Sequence, residues 1–297
     1  MNVTAKIIAD SLNIETRDRL TTMLVRIPRC ILAEQNTHRA FSRNSASSRA
    51  IPTKTFRERV NADPYKPDAW LSAVPGMAAG AELNAADSAE ADKVWNTARL
   101  MMDGCHRQLE MLGVAKQIAN RLLEPWLYTE VLVSATDWQN YFALRSNAQA
   151  DPAIQAVSDA ALAAYCASTP KELNPGEWHL PFSGSWPAEG VELTLAEKIA
   201  VCTARAARTS YFGFDGQKSL SSDTDLYTKL SESGHWSPFE HVAQAVPACS
   251  YDSNPRIGNF TGWHQHRYDF PRQNRQCDLK ALLLEREQVS PYARTAA

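Results

Sequence analysis

Between Thr37 and Pro52 the chain reads THRAFSRNSASSRAIP. It holds Arg39, Arg43 and Arg49, one histidine, four serines, Asn44 and Thr37, with no carboxylate. Guanidinium groups fork onto phosphate or carboxylate oxygens, and hydroxyls and amides fill the remaining acceptor positions. Such a segment is either an anion-binding loop or a solvated Ser/Arg surface loop. A second constellation, WQNYFALRSNAQADPAIQ, sets Asn140, Arg145 and Gln149 among Trp138, Tyr141 and Phe142. Burying such groups without partners costs roughly a few kcal/mol each, so they bind one another or face a ligand. A third, GHWSPFEHV, places His235, Ser237, Glu240 and His241 around Pro238 and Phe239. By itself it is an ordinary helix-start signal. RTSYF, which contains Ser210, reads as a helix end with Arg208 near the negative pole of the dipole. Three such clusters, if they converge, suit a ligand that is anionic and flat. There is no GxGxxG, Walker loop or Ser-His-Asp pattern to support a Rossmann or P-loop reading.

The elements that must position these residues are legible in part. LTTMLVRIPRCILAE reads as an irregular strand feeding the Thr37 loop, and residues 60–90, rich in Pro, Ala, Gly and Asp, as a long surface connection. Val94, Ala98, Met101, Cys105, Leu109 and Leu112 recur at helical spacing until Gly113. AKQIANRLLE predicts a shorter helix ending at Pro125. Asp137 is placed to cap a helix carrying Trp138, Tyr141, Phe142 and Arg145 on one side. Pro152 sits in the first turn of another. After a breaker-rich stretch over 169–190, LAEKIAVCTARAARTSYF and YTKLSESG predict two more helices, the second ending at Gly234.

Composition narrows the class. The 297 residues are 44% hydrophobic and 22% charged, with a net charge of -2, which argues against a general nucleic-acid binder. No apolar run is long enough to span a membrane, and the first twenty residues lack the pattern of a secretory signal. The six cysteines lie far apart without metal-ligand spacing, so no metal site is expected. They read as single buried thiols in a reducing compartment, with the cytoplasm as the default.

Taken together, the motifs resemble the flavin-dependent thymidylate synthases. That family's Arg-His-Arg, Ser, Asn-Glu, Ser, Arg signature is similar to His38, Arg39, Ser42, Asn44, Ser47 and Arg49 in register. Its Asn, Leu-Arg helix resembles Asn140, Leu144 and Arg145, and its Ala-Arg-x-Ser and His-x-Ser-Pro-Phe-Glu-His segments resemble Ala207–Ser210 and His235–His241. Thr37, Ser45 and Glu34 stand where the family has Arg, Glu and Gln, and Arg121 lies one step beyond a nucleotide-binding arginine. The Pro-Phe-Glu-His segment follows the arginine loop instead of preceding it, so the chain resembles a circularly permuted, phage-like member.

The resemblance implies an α/β fold, a mixed sheet flanked by helices. It implies a single domain with the nucleotide and flavin loop in residues 1–170 and the permuted segment in residues 190–297. It implies a homotetramer with shared active sites that makes dTMP from dUMP, with methylenetetrahydrofolate as carbon donor, FAD as cofactor and NADPH as reductant. Arg145, Ser47 and Arg49 are the implied catalytic residues; Glu34, Ser47, Ser48, Arg49, Arg121 and Arg145 bind substrate. His38, Arg39, Ser42, Asn44, Asn140, Gln149, Ser210, His235, Ser237 and Glu240 are expected to embrace FAD, and Arg267 offers a guanidinium from the permuted end. One alternative is transfer of a methyl or hydroxymethyl group to another pyrimidine nucleotide. A non-catalytic nucleotide or single-strand binder is a second.

Overall fold

A computed structural model describes residues 1–76, 79–183, 192–209, 219–253 and 256–270. Two ten-residue strands, β1 (Thr4–Asn13) and β2 (Arg19–Pro28), form an antiparallel hairpin. The β2 stretch TTMLVRI is regular throughout, because its branched residues suit a strand buried on both faces. The short strand β3 (Ser42–Ser45) pairs antiparallel with β4 (Tyr128–Ala135), which pairs with β2, while β5 (Lys171–Leu173) runs parallel to β1. The result is a mixed five-stranded sheet in the order β3-β4-β2-β1-β5.

Helix Pro152–Ala167 lies across β1 and β2, beside the Trp138–Arg145 helix. Asp151 caps it by accepting from the amides of Ala153 and Ile154, and Pro152 occupies its first turn. Between these helices and the sheet lies the main core, with Met23, Val25, Val131, Val133, Trp138, Tyr141, Ile154 and Val157 all buried.

A second sheet was not anticipated. It comprises β6 (Trp178–His179), β7 (Ala243–Ala245), β8 (Arg256–Ile257), β9 (Phe260–Thr261) and β10 (Trp263–Gln265), in the order β6-β7-β10-β8-β9. Its strands are too short to show a period in sequence. It packs on the first sheet through Leu20, Leu173, Ala243, Ala245, Phe260 and Trp263. Helix Leu195–Arg208, started by a Thr194/Glu197 capping box, and helix Leu220–Ser233, ended by Gly234 at φ 72°, are joined by Asp223. That carboxylate is fully buried and accepts from Arg205 and Arg208.

Four expectations change. The stretch expected as a long connection, residues 60–90, takes in the end of helix Thr53–Ala62 and the start of the 27-residue helix Ala85–Met111, which Asn84 caps; its other described residues form no helix, as expected. Most of the apolar stripe read on that helix faces outward: Val94, Met101 and Leu112 are 62%, 63% and 78% exposed, and of the stripe Ala98 packs inward. The helix instead packs through Trp95, Ala98, Met102, Asp103 and His106, because the indole offers the larger apolar surface and the polar pair has partners in Asn61 and Asn120. AKQIANRLLE divides into a helical turn at Lys116–Ala119 and a 3-10 stretch, Asn120–Trp126, that carries Pro125 inside it. Of the described cysteines Cys202 is buried, whereas Cys30, Cys105, Cys166 and Cys249 are exposed, contrary to the expectation of buried thiols. No described helix is long and apolar enough to cross a membrane.

Candidate functional site

At one end of the first sheet a cavity of about 770 Å³ opens between the β1–β2 turn, the Thr37–Phe41 loop and the Trp138–Arg145 helix. Its wall includes Arg17, Asp18 and Arg19 from the turn, His38, Arg39 and Phe41 from the loop, and Asp137, Gln139, Asn140 and Arg145 around the helix start and end. Four of the residues singled out in sequence therefore meet here: His38, Arg39, Asn140 and Arg145.

The helix holds Arg145 in place. Trp138 and Tyr141 are 1% exposed and anchor its inner face, so the last turn carries the half-buried arginine to the cavity rim. Arg145 Nε donates to His38 Nε2 at 3.0 Å, and Nη2 donates to Thr37 Oγ1 at 3.2 Å. Nη1 has no partner among the described residues. The head sits at the surface of the aromatic cluster, not within it. His38 stands edge-on to the Tyr141 ring, 4.8 Å between centroids. Burial, and then the nearby Arg145 and Arg43 charges, lower its pKa below the ordinary value, so the ring is neutral and Nε2 is free to accept. Tyr141 in turn donates to buried Gln35 Oε1 at 3.0 Å.

Arg19 is already committed. It donates through Nε and Nη2 to Asp10 at 2.9 and 2.7 Å, donates to the Tyr165 and Ser168 carbonyls, and lies 3.7 Å over the Tyr165 ring. Arg17 and Arg39 are exposed and have no such partner among the described residues. Of the two carboxylates on the wall, Asp18 has a raised pKa, mainly from burial and partly from the Asp137 charge. Its Oδ2 is sealed from solvent without a partner, in space that only a glycine at 262 leaves open.

The other sequence candidates lie elsewhere in the chain. Ser42 is 1% exposed and its hydroxyl accepts from Asn259 Nδ2 and Gln265 Nε2. Asn44 donates to the carbonyl of Ala206 at 3.2 Å, near the end of helix Leu195–Arg208. Gln265 also reaches the Glu240 carbonyl at 2.9 Å, and the Glu240 carboxylate accepts from Arg267. These contacts seat the Ser237–Glu240 turn on β3, so the Pro-Phe-Glu-His segment does lie against the arginine loop. They also occupy the side chains of Ser42 and Asn44, and Arg267 is not on the cavity wall.

Ser47, Ser48 and Arg49 follow the far end of β3, roughly 13 Å along the strand at 3.3 Å per residue. The Ser48 hydroxyl donates to Glu124, which also pairs with Arg121. Buried Asn120 donates to the Ser48 and Ile51 carbonyls, which fixes this turn. Glu34, Arg49, Gln149, His235 and Ser237 are exposed and outside the cavity. Ser210 lies outside the described residues. Sequence reasoning missed Arg17, Asp18, Arg19, Asp137 and Gln139. The run TRDR is charged like any surface turn, and only the hairpin pairing carries it to the Thr37 loop.

Beneath the site runs a buried polar chain. Ser11 Oγ meets His179 Nδ1 at 2.9 Å, His179 Nε2 meets Thr22 Oγ1 at 2.8 Å, Thr22 meets Ser134 Oγ at 2.5 Å, and Ser134 meets His241 Nδ1 at 2.8 Å. Both imidazoles are fully buried, and burial pushes each pKa down to about 3, so both are neutral. Among the described residues no cluster of His, Cys, Asp and Glu is arranged to hold a metal ion.

No protein-family model matches the chain, and no curated protein does. Among solved structures it is similar to the UMP/dUMP methylase PolB from Streptomyces cacaoi bound with 5-Br UMP, at 17% identity and a TM-score of 0.48. It is also similar to the same enzyme bound with 5-Br dUMP, at 16% identity and a TM-score of 0.47. The alignments take in 56% of this chain and 89% and 90% of those chains.

Proposed function

We propose that this protein methylates a pyrimidine nucleotide, converting dUMP to dTMP with methylenetetrahydrofolate as carbon donor, FAD as bound cofactor and NADPH as reductant. The observation that carries the reading is the Arg145–His38 pair. A neutral imidazole holds a guanidinium at the rim of a nucleotide-sized cavity, with Nη1 left over for a ligand. A planar donor fixed in this way can address a uracil carbonyl and stabilise charge as it develops on the ring.

The cavity wall suits a flavin nucleotide. The guanidiniums of Arg17 and Arg39, without a partner among the described residues, match phosphate oxygens, the Asn140 amide offers a donor and an acceptor, and the Phe41 and Tyr165 rings supply apolar wall. His38, Arg39 and Asn140 would hold the cofactor, which supplies the redox chemistry when bound. Ser42, Asn44 and Glu240 act in this reading by fastening the loop. Ser47 and Arg49, at the other end of β3, serve the cavity of a neighbouring subunit in a homotetramer with shared sites.

The experiment is FAD titration of the purified protein, followed by product analysis after incubation with dUMP or dCMP, methylenetetrahydrofolate and NADPH. The expected results are flavin fluorescence quenching and dTMP formation. A colourless protein that leaves added FAD fluorescence unchanged rejects the flavin reading; a product only from dCMP reassigns the base.

A further inference from the structure

The β1–β2 turn contains an arrangement that backbone economy does not explain. Arg17 has φ 63°, a left-handed conformation that glycine takes freely and that side chains with a Cβ disfavour. The turn cannot relax away from it. Buried Asn13 accepts from the amides of Glu15 and Thr16, and its Nδ2 donates to the carbonyls of Val246 and Gly262 at 2.8 and 3.0 Å. The Arg17 amide donates to the Asn13 carbonyl, and the Trp263 indole donates to the carbonyl of Asp18. The second sheet thus clamps the turn from below. An arginine held in a strained conformation, with an exposed head and no partner among the described residues, gains nothing for the fold.

What the head does reach is the cavity wall, which it shares with Arg39 and Arg145. Arg19 next to it is neutralised by Asp10, so it does not compete for a ligand's charge. Asp137 stands on the same wall, and Asp18 points Oδ2 into the protein against Gly262, away from solvent. We propose that Arg17 is an anion-binding residue: the clamped turn presents its guanidinium, with that of Arg39, to the phosphate groups of a nucleotide ligand. The assignment of the ligand as a nucleotide rests on the function proposed above; the anion site itself rests on the turn.

The test compares wild type with Arg17→Gly and Arg17→Lys, titrated with inorganic pyrophosphate, FAD and dUMP at two salt concentrations, together with thermal unfolding. Glycine relieves the turn, so Arg17→Gly is expected to unfold at the same or a higher temperature while pyrophosphate affinity falls tenfold or more with a shallower salt dependence. Arg17→Lys should recover part of that affinity. A matching loss for FAD identifies the flavin phosphates as the ligand, and a matching loss for dUMP identifies the nucleotide monophosphate. Affinities within twofold of wild type in Arg17→Gly, or a wild type that binds none of the three probes, overturn the proposal. Pyrophosphate binding that depends on Arg17, without binding of FAD or dUMP, upholds it and rejects the nucleotide reading instead.

Discussion

At the scale of single residues, the site depends on one nitrogen accepting a hydrogen bond. His38 Nε2 receives the Arg145 Nε proton only while the ring is neutral. Its pKa is lowered, so the pair holds through neutral pH and breaks as pH falls through a value below 6.5, when an imidazolium would face a guanidinium. The expected kcat/KM profile has an acid limb below the ordinary histidine range, and a His38→Gln variant should lose that limb. An unchanged limb in the variant would assign it to another group. Arg145→Lys tests the guanidinium itself. Lysine keeps the charge but loses the fork, and the expected drop in kcat is on the order of a hundredfold or more. Steady-state kinetics beside FAD titration checks this, because the flavin contacts proposed above come mainly from His38, Arg39 and Asn140 and affinity should change little. Near-normal turnover would leave Arg145 a structural role.

At the scale of elements, two sheets position the site, and a buried polar chain joins them. His179 on β6 reaches Thr22 on β2, and His241 just before β7 reaches Ser134 on β4. Neutral imidazoles suit this place, since burial penalises a charge there by more than the Asp10 carboxylate offsets at His179. Each pKa is about 3 in the folded protein against 6.5 when unfolded, so the unfolded chain binds more protons below pH 6.5. Stability from these groups is fully present above pH 6.5 and is lost as pH falls towards 3, by on the order of 1 kcal/mol per pH unit for each ring. Denaturant midpoints between pH 7 and pH 4 should therefore fall steeply. A His179→Gln, His241→Gln double variant should start lower at pH 7 but show a flatter dependence. An equally steep slope in the variant would place the acid sensitivity in other groups.

At the scale of the whole molecule, the anion-friendly residues and the thiols are kept apart. None of the described cysteines lines the cavity, and Cys202 lies in the core, where burial pushes its thiol well above the usual range. None of the described cysteines is thus placed to attack a ring bound in this cavity. Replacing Cys30, Cys105, Cys166 or Cys249 by serine should leave turnover within about twofold, as expected for surface changes distant from reacting groups. Loss of turnover in one such folded, flavin-loaded variant would point to a nucleophilic mechanism. The net charge of -2 says nothing against a local anion site, since Arg17, Arg39 and Arg145 share the cavity wall while Arg19 is paired with Asp10.

Local chemistry was legible in the chain alone. The Asp151–Pro152 helix start, the Gly234 helix end and the aromatic anchoring of the Trp138–Arg145 helix follow from residue types within a few positions of one another. The donor-rich, carboxylate-free composition of the Thr37–Pro52 segment was legible too, as was its likeness in pattern to flavin-dependent thymidylate synthases. The tertiary structure decided which of the polar residues remain available. Ser42, Asn44 and Ser48 look like ligand donors in sequence, yet their hydrogen bonds are made with Gln265, Ala206 and Glu124, far away along the chain. Val94, Met101 and Leu112 keep a helical period, yet Trp95 and His106 face the core, because which face is buried depends on the Asn120–Trp126 turn packed against it. Arg17 shows the same limit most clearly: its strained turn is set by Asn13 gripping the carbonyls of Val246 and Gly262. Spacing records what neighbours in the chain can do, whereas partners in space depend on how the sheets pack.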